Sequence, residues 1–434
     1  MRTRLTNCEV VDPGTGERYW GWVEWEGGVI RGVGRTVPGL GDPSGDGGAE
    51  AIDGRGHLLA PSFVDLYADF CEPGFEYRED VASGSAAAAA GGYTAVSVRP
   101  DTEPACDGED TARFVMEAGR KAGRVEVLPI GAITRKLAGE AMADIGEMAA
   151  AGVRAVGEAD RWVARTGLLR HGLEYAGNFG LTAFLTGEDP ALVEGTAHEG
   201  LVSTVRGLKA SPVAAEEVAV ARHVALAELT RTPVHLLKLT SAAGVRILRE
   251  ARARGVPVTA SAAALHLVLD ENAVAGYDPM TKVWPPLRSA EDRKALVEAV
   301  ADGAIDAVVS DHCPRGIEDK ELEFDLAVPG ASTIETTFAL LNRLVLAGEL
   351  PLTAALRALA VGPRGVLGLP GGSIAPGRPA DLVLLDRAVE WEVTPAALAS
   401  RGKNTPFLGK TLVGRPVMTI RGGEATFDRL RAAR

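Results

Sequence analysis

The chain has 434 residues, room for one large domain and a smaller one, since α/β barrels run to about 200–250 residues as a single unit. Apolar residues at 46% and charged residues at 24% exclude a disordered chain. With 46 basic against 58 acidic side chains, the net charge of −12 argues against nucleic acid or an anionic membrane as the main partner, because both need a basic face.

Short strands are predicted at residues 4–11, 20–26 and 29–33, divided by the Asp12-Pro-Gly-Thr-Gly16 and Gly27-Gly28 turns. From Pro61 the rhythm changes. Apolar runs at 63–66, 95–98, 125–130, 155–156, 183–185, 234–239, 258–260 and 307–309 alternate with stretches of helical periodicity such as 110–122, 214–230 and 289–302. Eight strands, each followed by a helix, predict a (β/α)₈ TIM-type barrel. A doubly wound sheet is the alternative, but no Gly-x-Gly-x-x-Gly follows the first strand to support it. Beyond Leu369 the strand rhythm returns, in the turn-rich segment 371–386 and at 412–413 and 416–421. The chain therefore divides into 1–59, a barrel over 60–369, and 370–434, with the two ends predicted to form one small β-sandwich.

No apolar run approaches the length of about 18 residues of a membrane span, and residues 1–13 lack the apolar stretch of a signal peptide. The four cysteines are scattered without a Cys-x-x-Cys pair, which speaks against a disulfide scaffold or a cysteine zinc site. A cytoplasmic protein is expected.

Specific landmarks follow in order. The segment Pro61-Ser-Phe-Val-Asp-Leu-Tyr-Ala-Asp69 running on to Asp80, then Gly91-Gly-Tyr-Thr-Ala-Val96, Lys282-Val-Trp-Pro-Pro-Leu-Arg288, Ser310-Asp-His-Cys-Pro314 and Asn404-Thr-Pro-Phe407 together resemble the dihydroorotases of the amidohydrolase superfamily. The resemblance spans nearly the whole chain. It implies a metal-bearing barrel in which a bound water attacks a ring amide while an aspartate shuttles the proton.

Against that pattern the chemistry-bearing positions are replaced. The family's His-x-His-x-Arg after the first strand reads Tyr67-Ala68-Asp69-Phe70-Cys71. Its substrate asparagine is Asp101, which puts a negative charge where an anionic substrate would sit. Its bridging carboxylate region reads Val156-Gly-Glu-Ala-Asp160, with Glu158 the nearest candidate. The histidine ligands after strands five and six become Thr186 and Lys238, the asparagine before Pro-Pro-Leu-Arg becomes Trp284, and a later histidine becomes Arg315. Asp311, the proton-shuttle position, remains as a vestige with His312 beside it.

None of the seven histidines forms His-x-His or a helical i, i+4 pair, so the usual imidazole centre is missing. His57, His171, His198 and His223 are read as surface or capping residues, and His235 and His266 as core. Cys71 is read as inert, because nothing is placed to activate it. Asp69, Glu158 and Asp311 could hold one divalent ion through oxygens alone, but read better as structural carboxylates. Lys238 is expected to replace the metal's charge by pairing with Asp311 or Asp69.

No cofactor is therefore expected. The resemblance implies a dihydroorotase-like protein of pyrimidine biosynthesis that has lost catalysis and serves as a structural subunit in an oligomer with aspartate carbamoyltransferase. Two alternatives stand beside it. One is an active dihydroorotase with a rebuilt zinc or other divalent centre, hydrolysing dihydroorotate to carbamoyl-aspartate. The other is a barrel that binds some other small molecule.

Overall fold

The computed structural model describes residues 2–37 and 48–432. Eight parallel strands stand side by side in chain order: Phe63–Ala68, Tyr93–Val98, Glu126–Ala132, Ala155–Gly157, Thr182–Thr186, Val234–Leu237, Val258–Ala263 and Ala307–Val309. Each lies on a run that its apolar composition marks as a strand. Burial on both faces is why these runs are nearly continuous in apolar residues rather than alternating. The eighth strand returns to the first. Asp69 N donates to His312 O at 2.7 Å, and the Asp65 carboxylate accepts from Ser310 N at 3.2 Å. The eight strands thus close into the expected barrel.

Val64, Leu66, Leu128, Ile130, Phe184 and Val309 fill its interior. Around it pack the helices, of which Glu109–Ala122 shows the local logic. Ala112, Val115 and Gly119 face inward, acids occupy its first turn and Arg120 and Lys121 its last, and Gly123 ends it in the left-handed region. Gly119 is needed because a Cβ there would meet the Val127 side chain at 2.7 Å.

The two chain ends meet in one continuous eight-stranded sheet. Leu58–Pro61 joins them, lying parallel to Arg2–Asp12 and antiparallel to Leu382–Glu392. The sheet curls over its own apolar core of Leu5, Val23, Ile30, Leu59, Leu384 and Ile420, and the Trp25 indole donates across it to Gly423 O at 2.9 Å.

Two expectations at this end need correction. Residues 412–413 and 416–421 belong to one strand, Thr411–Arg421, whose pairing slips by a residue between Leu384↔Met418 and Leu385↔Pro416. Pro416 has no N–H for the ladder, so the irregularity falls where it costs least. A further strand, Glu424–Asp428, had not been anticipated. Among the described residues no helix is long and apolar enough to cross a membrane.

Candidate functional site

The C-terminal ends of the barrel strands carry the candidate residues, and three of them, Cys71, Lys238 and Asp311, sit in the left-handed region at φ of 60°, 54° and 52°, as does Ala159 at 53°. Such conformations are costly for L residues and persist where the surroundings enforce them. Here they direct loops from different strands toward one place.

Lys238 follows the sixth strand directly, and its side chain is 1% exposed. Its ammonium donates to Asp311 Oδ1 at 3.0 Å and to Trp284 O at 3.0 Å, and lies 3.1 Å from Asp160 Oδ1. The Tyr67 and Trp284 rings face it at 5.1 and 5.2 Å, close enough for cation–π attraction. Arg99, just past the second strand, completes the set. Its fork holds Asp101 through Nε at 2.9 Å and Nη2 at 2.7 Å, while Nη1 reaches Asp160 Oδ2 at 2.6 Å. The Tyr67 hydroxyl donates to Asp160 Oδ1 at 3.1 Å.

The result is an alternating row, Asp101–Arg99–Asp160–Lys238–Asp311. Burial works against ionising Asp160, but Arg99 and Lys238 overcome it and pull the carboxyl down to about 2. Burial likewise opposes the Lys238 charge, and Asp160 and Asp311 more than offset it, holding the ammonium above its ordinary value. Burial keeps Asp311 above the usual carboxylate range in spite of Lys238. A cavity of about 300 Å³ opens over this row, lined by Arg99, Asp160, Lys238, Trp284, Asp311 and Arg315 among others.

The structure thus gathers Tyr67, Asp101, Lys238, Trp284 and Asp311, and the expected pairing of Lys238 with Asp311 is present. Several other expectations are overturned. Glu158 does not face Asp311: its carboxylate accepts from Thr134 N at 2.5 Å and Thr134 Oγ1 at 2.7 Å, and burial pushes it up to about 7. Asp69 does not pair with Lys238 but accepts from Cys71 N at 2.8 Å. Asp101 presents no bare charge, because the Arg99 fork neutralises it. Thr186 does not line the cavity; its hydroxyl donates to Ala159 O at 3.0 Å and so pins the turn that aims Asp160. Arg315 stands at the cavity wall, its Nε donating to Pro329 O at 3.0 Å.

His223 is buried rather than on the surface. Its Nε2 lies 3.1 Å from Thr186 O, and burial lowers it to about 4. His235 and His266 are core histidines as expected, bonded to Thr259 Oγ1 at 2.8 Å and Pro285 O at 2.9 Å. His312 Nδ1 accepts from Thr333 N at 3.2 Å, and Nε2 lies 3.5 Å from Glu79 Oε2. Cys71 is buried, with its thiol pushed up.

Asp160 is the residue the sequence reading missed. It lies two positions beyond Glu158, where strand alternation would put both carboxylates on one face, but the left-handed Ala159 between them breaks that alternation. Whether the site fits a metal can be tested directly. Among the described residues no three His, Cys, Asp or Glu side chains come together to hold one, and an ammonium fills the point where Asp160 and Asp311 converge. The donors present do not fit a zinc or two-metal centre.

Comparison with known proteins places this geometry. Residues 56–242 match the family described as dihydro-orotase-like, and residues 213–426 the amidohydrolase family. A dihydroorotase of Pelotomaculum thermopropionicum is 45% identical over 383 residues, 88% of this chain and 90% of its own. One of Syntrophotalea carbinolica is 40% identical over 98% of this chain and 99% of its own. Among solved structures, the L-hydantoinase of Arthrobacter aurescens superposes with a TM-score of 0.86 at 22% identity, over 98% of this chain and 96% of that one. At that identity the likeness concerns the fold.

Proposed function

Because the chain belongs to the dihydroorotase family of amidohydrolases, we propose that it serves pyrimidine biosynthesis from the cytoplasm as a non-catalytic barrel, a structural subunit in an oligomer with aspartate carbamoyltransferase. One observation carries the loss of catalysis: Lys238 Nζ sits 3.0 Å from Asp311 and 3.1 Å from Asp160. Ring-amide hydrolysis needs an ionised water and a polarised carbonyl. An ammonium has no open coordination position on which to bind and acidify water. Asp311, the shuttle position, spends an oxygen on Lys238 and has no activated water to deprotonate.

A second reading has its own support. The relatives described above carry the name dihydroorotase at 40–45% identity, and those names back an active dihydroorotase with a rebuilt centre better than they back a non-catalytic subunit. Metal analysis of purified protein and dihydroorotate turnover in both directions separate the two. The expected result is sub-stoichiometric metal and no turnover above buffer. Turnover abolished by Asp311→Asn would overturn the non-catalytic reading and leave the active one. Co-expression with the same organism's aspartate carbamoyltransferase, followed by size exclusion, tests the subunit role, and separate elution would count against it.

A further inference from the structure

Two arginines of the end sheet stand without a partner. Arg415 lies in the strand Thr411–Arg421, and Arg429 opens the short helix Arg429–Ala432 directly after the strand Glu424–Asp428. Among the described residues neither side chain makes a hydrogen bond or an ion pair, and the Nε of each is closed off from solvent with no acceptor. A buried donor left unmade is costly and calls for a missing acceptor such as a bound ion.

Both guanidiniums are nonetheless held in place. Arg415 Cζ lies 4.4 Å over the Trp391 ring, and Arg429 Cζ 4.7 Å over that of Phe427. The Trp391 indole is fixed in turn by donating to Gly414 O at 3.1 Å. Both rings pack on the barrel's core rather than on the sheet's own, which sets the two cations in the seam between sheet and barrel. Met418 pairs with Asp428, so Arg429 and Arg415 lie one and three residues beyond the same pair, on the same side of it.

Their charges are not balanced. Burial and the charge of Arg429 beside it push Arg415 down to about 10, and burial lowers Arg429 as well. Glu335 acts on both, but its oxygens accept from Ala399 N at 2.9 Å and Ser400 N at 3.1 Å, and burial holds it above the usual carboxylate range. Asp428, next in the chain, is turned to Arg431 and to the Leu430 and Arg431 N–H groups. The Nη nitrogens of both arginines lack a partner yet are not closed off.

We propose that Arg415 and Arg429 form a binding site for a phosphate dianion, supplied as the free ion or as the terminal group of a phosphate monoester. Phosphate carries a charge of about −1.5 to −2 at neutral pH and three acceptor oxygens, which matches two guanidiniums with unused N–H groups. A carboxylate would balance only one of them. The site shares no residue with the charge row at the barrel mouth, so it stands or falls independently of the catalytic reading.

Calorimetric titration of the full-length native protein with inorganic phosphate tests the proposal, in buffer free of other oxyanions and with acetate at matched ionic strength as the control. One phosphate per chain is expected, with acetate bound about tenfold more weakly or less. Arg415→Gln and Arg429→Gln should each weaken phosphate binding about tenfold or more. Glycerol phosphate that displaces the ion identifies a monoester as the ligand, and failure to displace it identifies the free ion; both support the site. Absence of saturable phosphate binding by the native protein at millimolar concentrations, acetate binding as tight as phosphate, or phosphate binding that both glutamine variants retain would overturn it. The acetate comparison on the native chain decides the matter even where a variant fails to fold.

Discussion

Asp160 offers the sharpest test of the charge row, because its environment gives both a magnitude and a pH signature. Asp160→Asn keeps the size of the side chain and removes the charge that Arg99 Nη1 holds at 2.6 Å and Lys238 at 3.1 Å. A carboxyl that falls from 3.8 to about 2 on folding contributes about 2 kcal/mol at neutral pH, at 1.36 kcal/mol per pH unit. A quarter of the side chain meets solvent, so screening brings the expected loss to about 1–2 kcal/mol. The sign is fixed by the lowered value. The contribution is fully present above the unfolded value and fades as pH falls through about 2. The difference between native and Asp160→Asn should therefore be flat from about pH 6 to 8 and fall to roughly half by pH 3. Urea unfolding across that range measures it. A difference below about 0.5 kcal/mol at pH 7, the size of an ordinary surface change, or one that does not move with pH, would refute the reasoning and make Asp160 a solvated carboxylate.

Other consequences follow from the same contacts. Lys238→Met fills the lysine's volume without its charge, strands Asp311 and leaves Asp160 to Arg99 and Tyr67, so it should cost about 3–5 kcal/mol in urea unfolding; a loss under about 0.5 kcal/mol would mean the ammonium reaches water. Arg99→Lys keeps the charge but cannot hold Asp101 with two nitrogens and Asp160 with a third, and should cost about 1.5–3 kcal/mol in the same assay. Cys8, Cys71, Cys106 and Cys313 are all buried, with burial pushing Cys8 and Cys106 up to about 12 and Cys313 to about 11. A thiol reagent at pH 8 should leave the native protein unmodified and label four thiols per chain after denaturation.

The barrel was legible in the sequence because parallel strands buried on both faces leave a simple trace. Runs such as 183–185 and 307–309 are apolar without alternation, and each is followed by a polar residue at the strand end. The end sheet was harder to read. Thr411–Arg421 is interrupted by Gly414 and Pro416, which look like a break but mark an irregular pairing. The turn into Glu424–Asp428 rests on two left-handed glycines, Gly422 and Gly423, and the polar strand after it has little apolar signal. Within the site, Tyr67, Lys238 and Asp311 lie where a position at or near a strand end puts them, whereas Asp69, Glu158 and Thr186, equally close to strand ends, turn to backbone partners or to Thr134 instead. A strand end fixes the neighbourhood of a side chain but not its direction. Glu158 and Asp160 are both carboxylates in one pentapeptide, and only the φ of Ala159 decides which enters the barrel mouth. His223 failed for a different reason. It lies on the helix Val213–Thr230, whose apolar residues lie all around its circumference, so the sequence does not show that its face packs against the Thr186 carbonyl.

An apolar plug is the simpler filling for the point where Asp160 and Asp311 converge, since replacing a buried ion pair with packed apolar groups is often neutral or stabilising. The contacts explain why this chain has a lysine instead. Asp160 is shared by Arg99, Lys238 and Tyr67, and Arg99 is shared in turn with Asp101. Changing Arg99 to an apolar residue strands Asp101, and an apolar residue at 238 leaves Asp311 without its cation, each at a cost of several kcal/mol, so the benefit arrives only when the carboxylates are replaced as well. A single change to lysine at position 238 avoids that obstacle. It places positive charge between Asp160 and Asp311 and leaves every other member with a partner. It also ties together loops that follow the fourth, sixth and eighth strands and the Trp284 segment, the same cross-linking that an ion held between strand ends would provide. The lysine therefore holds these strand ends together through one positive charge shared by Asp160, Asp311 and the Trp284 carbonyl.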